Sequence, residues 1–142
     1  MQTSARNCFT GKIVVIKKGP ILAELEIAIG KEASLISHIA FASLSELGLA
    51  IGSPVQALVK ASQVILLTEA PPVRLSTRNR FCGSVAALQP GAVNTEVVIR
   101  IEDGLSVVAI VTNESAKELD LQVGSRACAA FTPSSVLLAV PA

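Results

Sequence analysis

The residues able to do chemistry in this chain come in pairs. Arg6-Asn7 returns as Arg78-Asn79, Ser43-Leu-Ser-Glu46 as Ser115-Ala-Lys-Glu118, and Glu24 as Glu96, each 72 positions on. Sliding the sequence by 72 aligns residues 4–70 with 76–142 without a gap, and 21 of those 67 pairs are identical. That is an internal duplication, and chemistry basic to one copy should recur in the other. Cys8, Cys82 and Cys128 face Arg80, Thr10 and Gln56, and the single histidine, His38, faces Ile110. Catalytic thiols or metal ligands that mattered to both copies would be duplicated. The cysteines therefore read as small apolar fillers and His38 as structural. No nucleophile and base recur together, so an enzyme is not expected. What recurs is a guanidinium, a carboxylate and a serine at the head of an S-x-x-E capping box. Each has a plain reading as surface charge, exposed strand residue or helix cap. An N-cap is also a place where free amides favour an anion.

The elements that carry these residues follow from periodicity. Ile- and Val-rich Gly11–Lys17, a turn at Gly19-Pro20 and a run from Ile21 to Ile29 read as a hairpin. In its second arm Ile21, Ala23, Leu25, Ile27 and Ile29 alternate with Leu22, Glu24, Glu26 and Ala28, so the first set should be buried. After turns at 30–32 and 102–104, a third strand runs over 34–41 and 106–113. A short helix opened by Ser43 or Ser115 follows, stopped near Gly48 or Asp120. Strands over 55–60 and 63–67, copied at 127–132 and 135–140, complete each module. The expected domains are 1–70 and 76–142, joined by the Pro-containing linker 71–75. Strand, strand, strand, helix, strand, strand predicts an all-β fold: two tandem OB-like five-stranded Greek-key barrels, each with one short helix. An SH3-like barrel is the rival.

Composition narrows the partners. Twelve basic and eleven acidic residues leave a net charge of +1, and there are four Phe with no Trp or Tyr. Nucleic-acid binding by tandem OB folds, the alternative function, needs a basic groove and aromatic platforms and is disfavoured. With 51% hydrophobic and 16% charged residues, the chain holds more apolar material than two modules of about 67 residues should need. An oligomer is expected. There is no apolar run of membrane-spanning length, and the first residues lack the order of a secretion signal, so a soluble, cytoplasmic protein without a membrane partner is expected.

Ser-Ala-Arg-Asn before the Gly-Lys-Ile-Val-Val-Ile-Lys-Lys-Gly strand and turn, then Ser-x-x-Glu-Leu-Gly-Leu, a Gly-Ser turn, and Val-Lys-Ala-Ser-Gln-Val together resemble the molbindin family of Mop-type, transport-associated OB modules. The resemblance spans nearly the whole chain, twice. It implies intracellular binding and storage or buffering of molybdate, and also tungstate, by a homotrimer of six modules with oxyanion sites between modules. It implies no cofactor and no direct metal-cation ligand. Molybdate is a tetrahedral dianion with acceptor oxygens only, so its site needs hydroxyls, amides and one or two cations. Carried over, the ligands are Arg6, Ser43, Lys60 and Ala61 in the first module. Those of the second are Arg78, Thr112, Ser115, Thr132 and Pro133. Asn7, Glu24, Ser62, Asn79, Glu96 and Ser134 are supporting residues, the glutamates orienting an arginine or contributing a neighbouring amide. Thr132 replaces the lysine at position 60, and Ala40 lacks the hydroxyl of Thr112. Grouped by module, each set lacks one donor. The sites should then be inequivalent, with the Lys60 site tighter.

Overall fold

The computed structural model describes residues 1–101 and 104–142. Each copy begins with a long strand, β1 (Asn7–Lys18) and later β6 (Arg80–Pro90). The first copy continues through β2 (Leu22–Ala28), β3 (Ser34–Ala40), α1 (Phe41–Glu46), β4 (Pro54–Val59) and β5 (Ile65–Leu67). The second set is β7 (Asn94–Arg100), β8 (Ser106–Thr112), α2 (Asn113–Glu118), β9 (Arg126–Ala130) and β10 (Leu137–Ala139). The fold is mostly β, in two five-stranded sheets. Glu102 and Asp103, in the second copy of the expected turn, lie outside the described residues.

β1 serves two neighbours in succession. Its first half pairs antiparallel with β4 from Asn7↔Val59 to Lys12↔Pro54, and its second half with β2 from Lys12↔Ala28 to Lys18↔Ala23. The register shifts between Ile13 and Val15, and between Val85 and Ala87 in β6, which marks a bulge where the strand bends from one neighbour to the other. Just before the bend, a Cβ at Gly11 would meet the Ala28 carbonyl oxygen and one at Gly83 that of Arg100. The tight curve thus leaves no room for a side chain at either place.

The last strand of each copy is exchanged. The sheets run β10-β4-β1-β2-β3 and β5-β9-β6-β7-β8, so β5 completes the sheet of the second copy and β10 that of the first. Ile65 pairs with Ala130, and Leu137 with Leu58. A 3-10 turn, Ala61–Gln63 in one copy and Pro133–Ser135 in the other, carries the chain across. These turns occupy the beginning of what periodicity reads as the fifth strand. Phe9, Ile13, Leu25, Ile27, Val59 and Phe131 belong to one continuous buried core.

Two buried asparagines fasten the crossing. Asn7 Nδ2 donates to the carbonyls of Val59, in its own copy, and Val108, in the other, while Val108 N–H donates to Asn7 Oδ1 at 2.7 Å. Asn79 repeats the reciprocal pair with Ile36, at 2.7 and 2.8 Å. Each side chain thereby imitates one more backbone residue along the free edge of β8 or β3. The alternation forecast for β2 holds at Ala23, Leu25, Ile27 and Ile29, but Ile21 is 77% exposed and its equivalent Val93 69%. Both stand at the hairpin turn, before the strand reaches the core.

Candidate functional site

The helices start earlier than the S-x-x-E motifs imply. Each third strand runs directly into its helix, so the strand's last residue becomes the N-cap: Ala40 for α1, Thr112 for α2. Ser43 and Ser115 then lie two residues inside the helix and do not cap it. Thr112 Oγ1 accepts from Ser115 N–H at 3.1 Å and donates to Ser115 Oγ at 2.9 Å. Ala40 has no hydroxyl, so α1 has no side-chain cap. The expected stops hold, since Gly48 and Asp120 take φ of 61° and 50° just past the C-caps.

The repeated arginines and glutamates meet across the copies. Arg6 donates from both terminal nitrogens to the two oxygens of Glu96, at 2.9 and 2.7 Å. Arg78 donates to Glu24 Oε2 at 2.9 Å and lies 4.0 Å from Glu26. The second oxygen of Glu24 faces His38 Nε2 at 3.0 Å, and Lys17 Nζ stands 3.8 Å from Oε2. The histidine hydrogen bond, then Arg78 and Lys17, hold the Glu24 carboxyl below its ordinary range against the opposing effect of desolvation. His38, read from the sequence as structural, is thus hydrogen-bonded to the carboxylate at the centre of this charged cluster.

This crossing redistributes the site residues. Glu96 faces Ile110 across β7 and β8, and Thr112 follows two residues later on the same face. Arg6 of the first copy is therefore held on the sheet face of the second copy that also carries Ile110 and Thr112. Arg6 and Lys60 flank the Asn7–Val59 pair, and the turn Ala61–Gln63 packs against β8. The mirror arrangement sets Arg78 on Glu24, opposite His38 and two residues before Ala40. Phe131 N–H donates to the Asn79 carbonyl, so Arg78 and Thr132 are neighbours, and the turn containing Pro133 and Ser134 packs against β3, which leads to Ser43. One crossed set comprises Arg6, Lys60, Ala61, Thr112 and Ser115. The other comprises Arg78, Thr132, Pro133, Ala40 and Ser43.

The hydroxyls and the lysine of the first set line separate recesses. Thr112 and Ser115 line a recess with Ile65, Ile110 and Glu118. Lys60 lines another with Ser4, Gln63 and Ser135. Thr132 Oγ1 lies 3.1 Å from Ser134 Oγ and 2.9 Å from Ser135 Oγ, and Ser135 donates to Gln63 Oε1 at 2.9 Å. Gln63 and Ser135 are repeat equivalents, so the two turns meet at the local twofold relation between copies. Ser62 is exposed and Ala61 buried.

The cysteines depart from the sequence expectation. Cys82 and Cys128 lie directly opposite in β6 and β9, with Cα atoms 3.9 Å apart, and form a disulfide; Cys8 is exposed. Residues 46 apart in sequence meet only because of strand register, which spacing does not reveal.

Two five-stranded modules joined by arginine–glutamate pairs define a class, and comparison with known proteins identifies it. The chain belongs to the TOBE domain family, whose model matches twice, over residues 3–66 and 75–138. It is 44% identical over 140 residues to the molybdenum transport protein ModE of Azotobacter vinelandii and 40% identical over 141 residues to the molybdenum-pterin-binding protein MopA of Rhodobacter capsulatus. Those alignments cover 99% of this chain but only 52% and 53% of the relatives, so the chain spans about half their length. The structure of the cytoplasmic molybdate-binding protein ModG with molybdate bound matches with a TM-score of 0.95 at 39% identity, covering 99% of this chain and all of that one.

Proposed function

We propose that this chain binds molybdate, for storage or buffering inside the cell, at the two crossed sets of residues, and that it does so without catalysing a reaction. The observation that carries this reading is the arginine of each copy held on a glutamate of the other copy's second strand, beside the strand that runs into the helix bearing Thr112 and Ser115 in one copy and Ser43 in the other. Full-length similarity to molybdate-bound ModG supports the choice of anion. Tungstate has the same shape and charge and fits the same donors.

A homotrimer belongs to the reading. Three repeat-equivalent pairs of large apolar residues, Ile21 with Val93, Ile51 with Val123 and Ile65 with Leu137, are all at least 64% exposed. Equal exposure at equal positions in both copies suits a symmetric interface. Ile65 borders the recess of Thr112 and Ser115, and Leu137 that of Lys60. A second subunit covering these residues would enclose the open donors. Nucleic-acid binding gains little support: Phe9 and Phe131 are buried, Phe81 stacks on Phe131 at 5.8 Å, and Phe41 is the exposed ring.

Elemental analysis of protein from molybdate-fed cells, joined to light scattering, tests the reading. Several molybdenum atoms per particle of three times 14.7 kDa, about 44 kDa, are expected. A metal-free monomer, or equal competition by sulfate, would remove it.

A further inference from the structure

Besides Lys17 and Glu26, whose repeat equivalents are Gln89 and Val98, the two arginine–glutamate pairs differ at a histidine. Arg6 has both oxygens of Glu96, whereas Glu24 divides its oxygens between Arg78 and His38, and the residue equivalent to His38 beside Glu96 is Ile110. An ionised carboxylate can only accept, so His38 Nε2 carries a proton and donates to Oε1. We propose that His38 is a positioning residue that tightens oxyanion binding at the Arg78 site, and not at the Arg6 site, as it gains its second proton. This rests on Arg78 being an oxyanion ligand, as proposed above.

The charges around the ring set the direction. Glu24 and Glu26 face it from β2, Lys17 and Lys18 from the end of β1, and Arg78 from the segment before β6. Of the other elements packed on β3, α1 carries only Glu46, at its far end, while β10 and the Pro133–Ser135 turn carry no titratable group. The depressed pKa of Glu24 keeps its carboxylate ionised while the imidazole titrates. A neutral ring contributes one hydrogen bond to that carboxylate, and a charged ring adds a full ion pair. Arg78 then leaves Glu24 at lower cost to meet a dianion, and the surroundings hold one more positive charge. Both effects favour the anion. Ile110 offers neither to the Arg6 site.

A histidine ordinarily changes charge between about pH 5 and 8. Calorimetric titration of the whole protein with molybdate should show one class of site tightening roughly threefold from about pH 8 to pH 6, while the other stays level. Because coupling is reciprocal, saturating molybdate should raise the NMR titration midpoint of the single histidine ring by about half a unit. His38→Ile, which installs the residue of the other copy, should abolish the pH dependence, and Ile110→His should confer it on the other class. A ring midpoint indifferent to molybdate, in protein that binds the anion, overturns the role of His38. Wild-type protein that binds no molybdate at all removes the underlying reading, and this proposal with it.

Discussion

Arg6 grips both oxygens of Glu96, a residue of the other copy, with two hydrogen bonds of 2.9 and 2.7 Å. Its side chain is 51% exposed, so the pair contributes little to stability, on the order of 1 kcal/mol or less. Its consequence is positional. The guanidinium is held beside the strand that ends at Thr112, which belongs to the other half of the chain. The Lys60 and Thr112 donors consequently fall in one crossed set, and both replacements, Thr132 and Ala40, fall in the other. Grouped by module these differences would offset each other; grouped in space they reinforce.

That reinforcement predicts a wide separation of affinities. A hydrogen bond from a charged donor contributes about 1.5–3 kcal/mol and a neutral one about 0.5–1.5, less where solvent screens them, so the two classes should differ about tenfold or more. Titration calorimetry should resolve them. Ala40→Thr together with Thr132→Lys should merge them, and Lys60→Thr should weaken the tighter class alone.

Ala40→Thr has a second effect that needs no ligand. Thr112 caps α2 and Ala40 leaves α1 uncapped, so a threonine at 40 should stabilise the fold by about 0.5–1 kcal/mol. Thermal unfolding would register a small rise in Tm. The reverse change, Thr112→Ala, should lower it by a similar amount.

Asn7→Ala should cost far more, about 2–4 kcal/mol, because it strands the Val108 N–H and carbonyl between the two copies. Asn79→Ala should do the same at Ile36. Urea unfolding measures both, and losses below 1 kcal/mol would show that water replaces the asparagines freely.

Gly83→Ala and Gly11→Ala test the bend of the long strands. The added methyl would strike a backbone carbonyl in each case, and backbone cannot move aside as a flexible side chain could. We expect losses of about 1–3 kcal/mol or more by chemical denaturation.

Acid stability should report on Glu24. Its carboxyl titrates lower in the folded chain, so on acidification the unfolded chain takes up the proton first. The stabilisation is complete above the ordinary glutamate pKa of 4.5 and disappears as pH falls through the depressed folded value. Glu24→Gln should flatten this part of the stability profile, and an unchanged profile would assign the acid transition to other carboxylates.

By itself the sequence determined the duplication and the barrel class, because identities at a constant offset, period-2 alternation and Gly-Pro turns are local signals. It placed the helices but misjudged their caps, since S-x-x-E reads alike at an N-cap and one turn inside, and only the absence of a loop after β3 and β8 excludes the first. Partnership with an arginine was one of the readings open for the glutamates, but the sequence did not say which glutamate serves which arginine. Exchange of β5 and β10, the Cys82–Cys128 bridge, the bridging asparagines and the crossed pairing of Arg6 with Glu96 and Arg78 with Glu24 were settled by tertiary structure alone. Antiparallel pairing joins residues distant in sequence, and the alternation that makes β5 a strand is the same whichever barrel edge it completes.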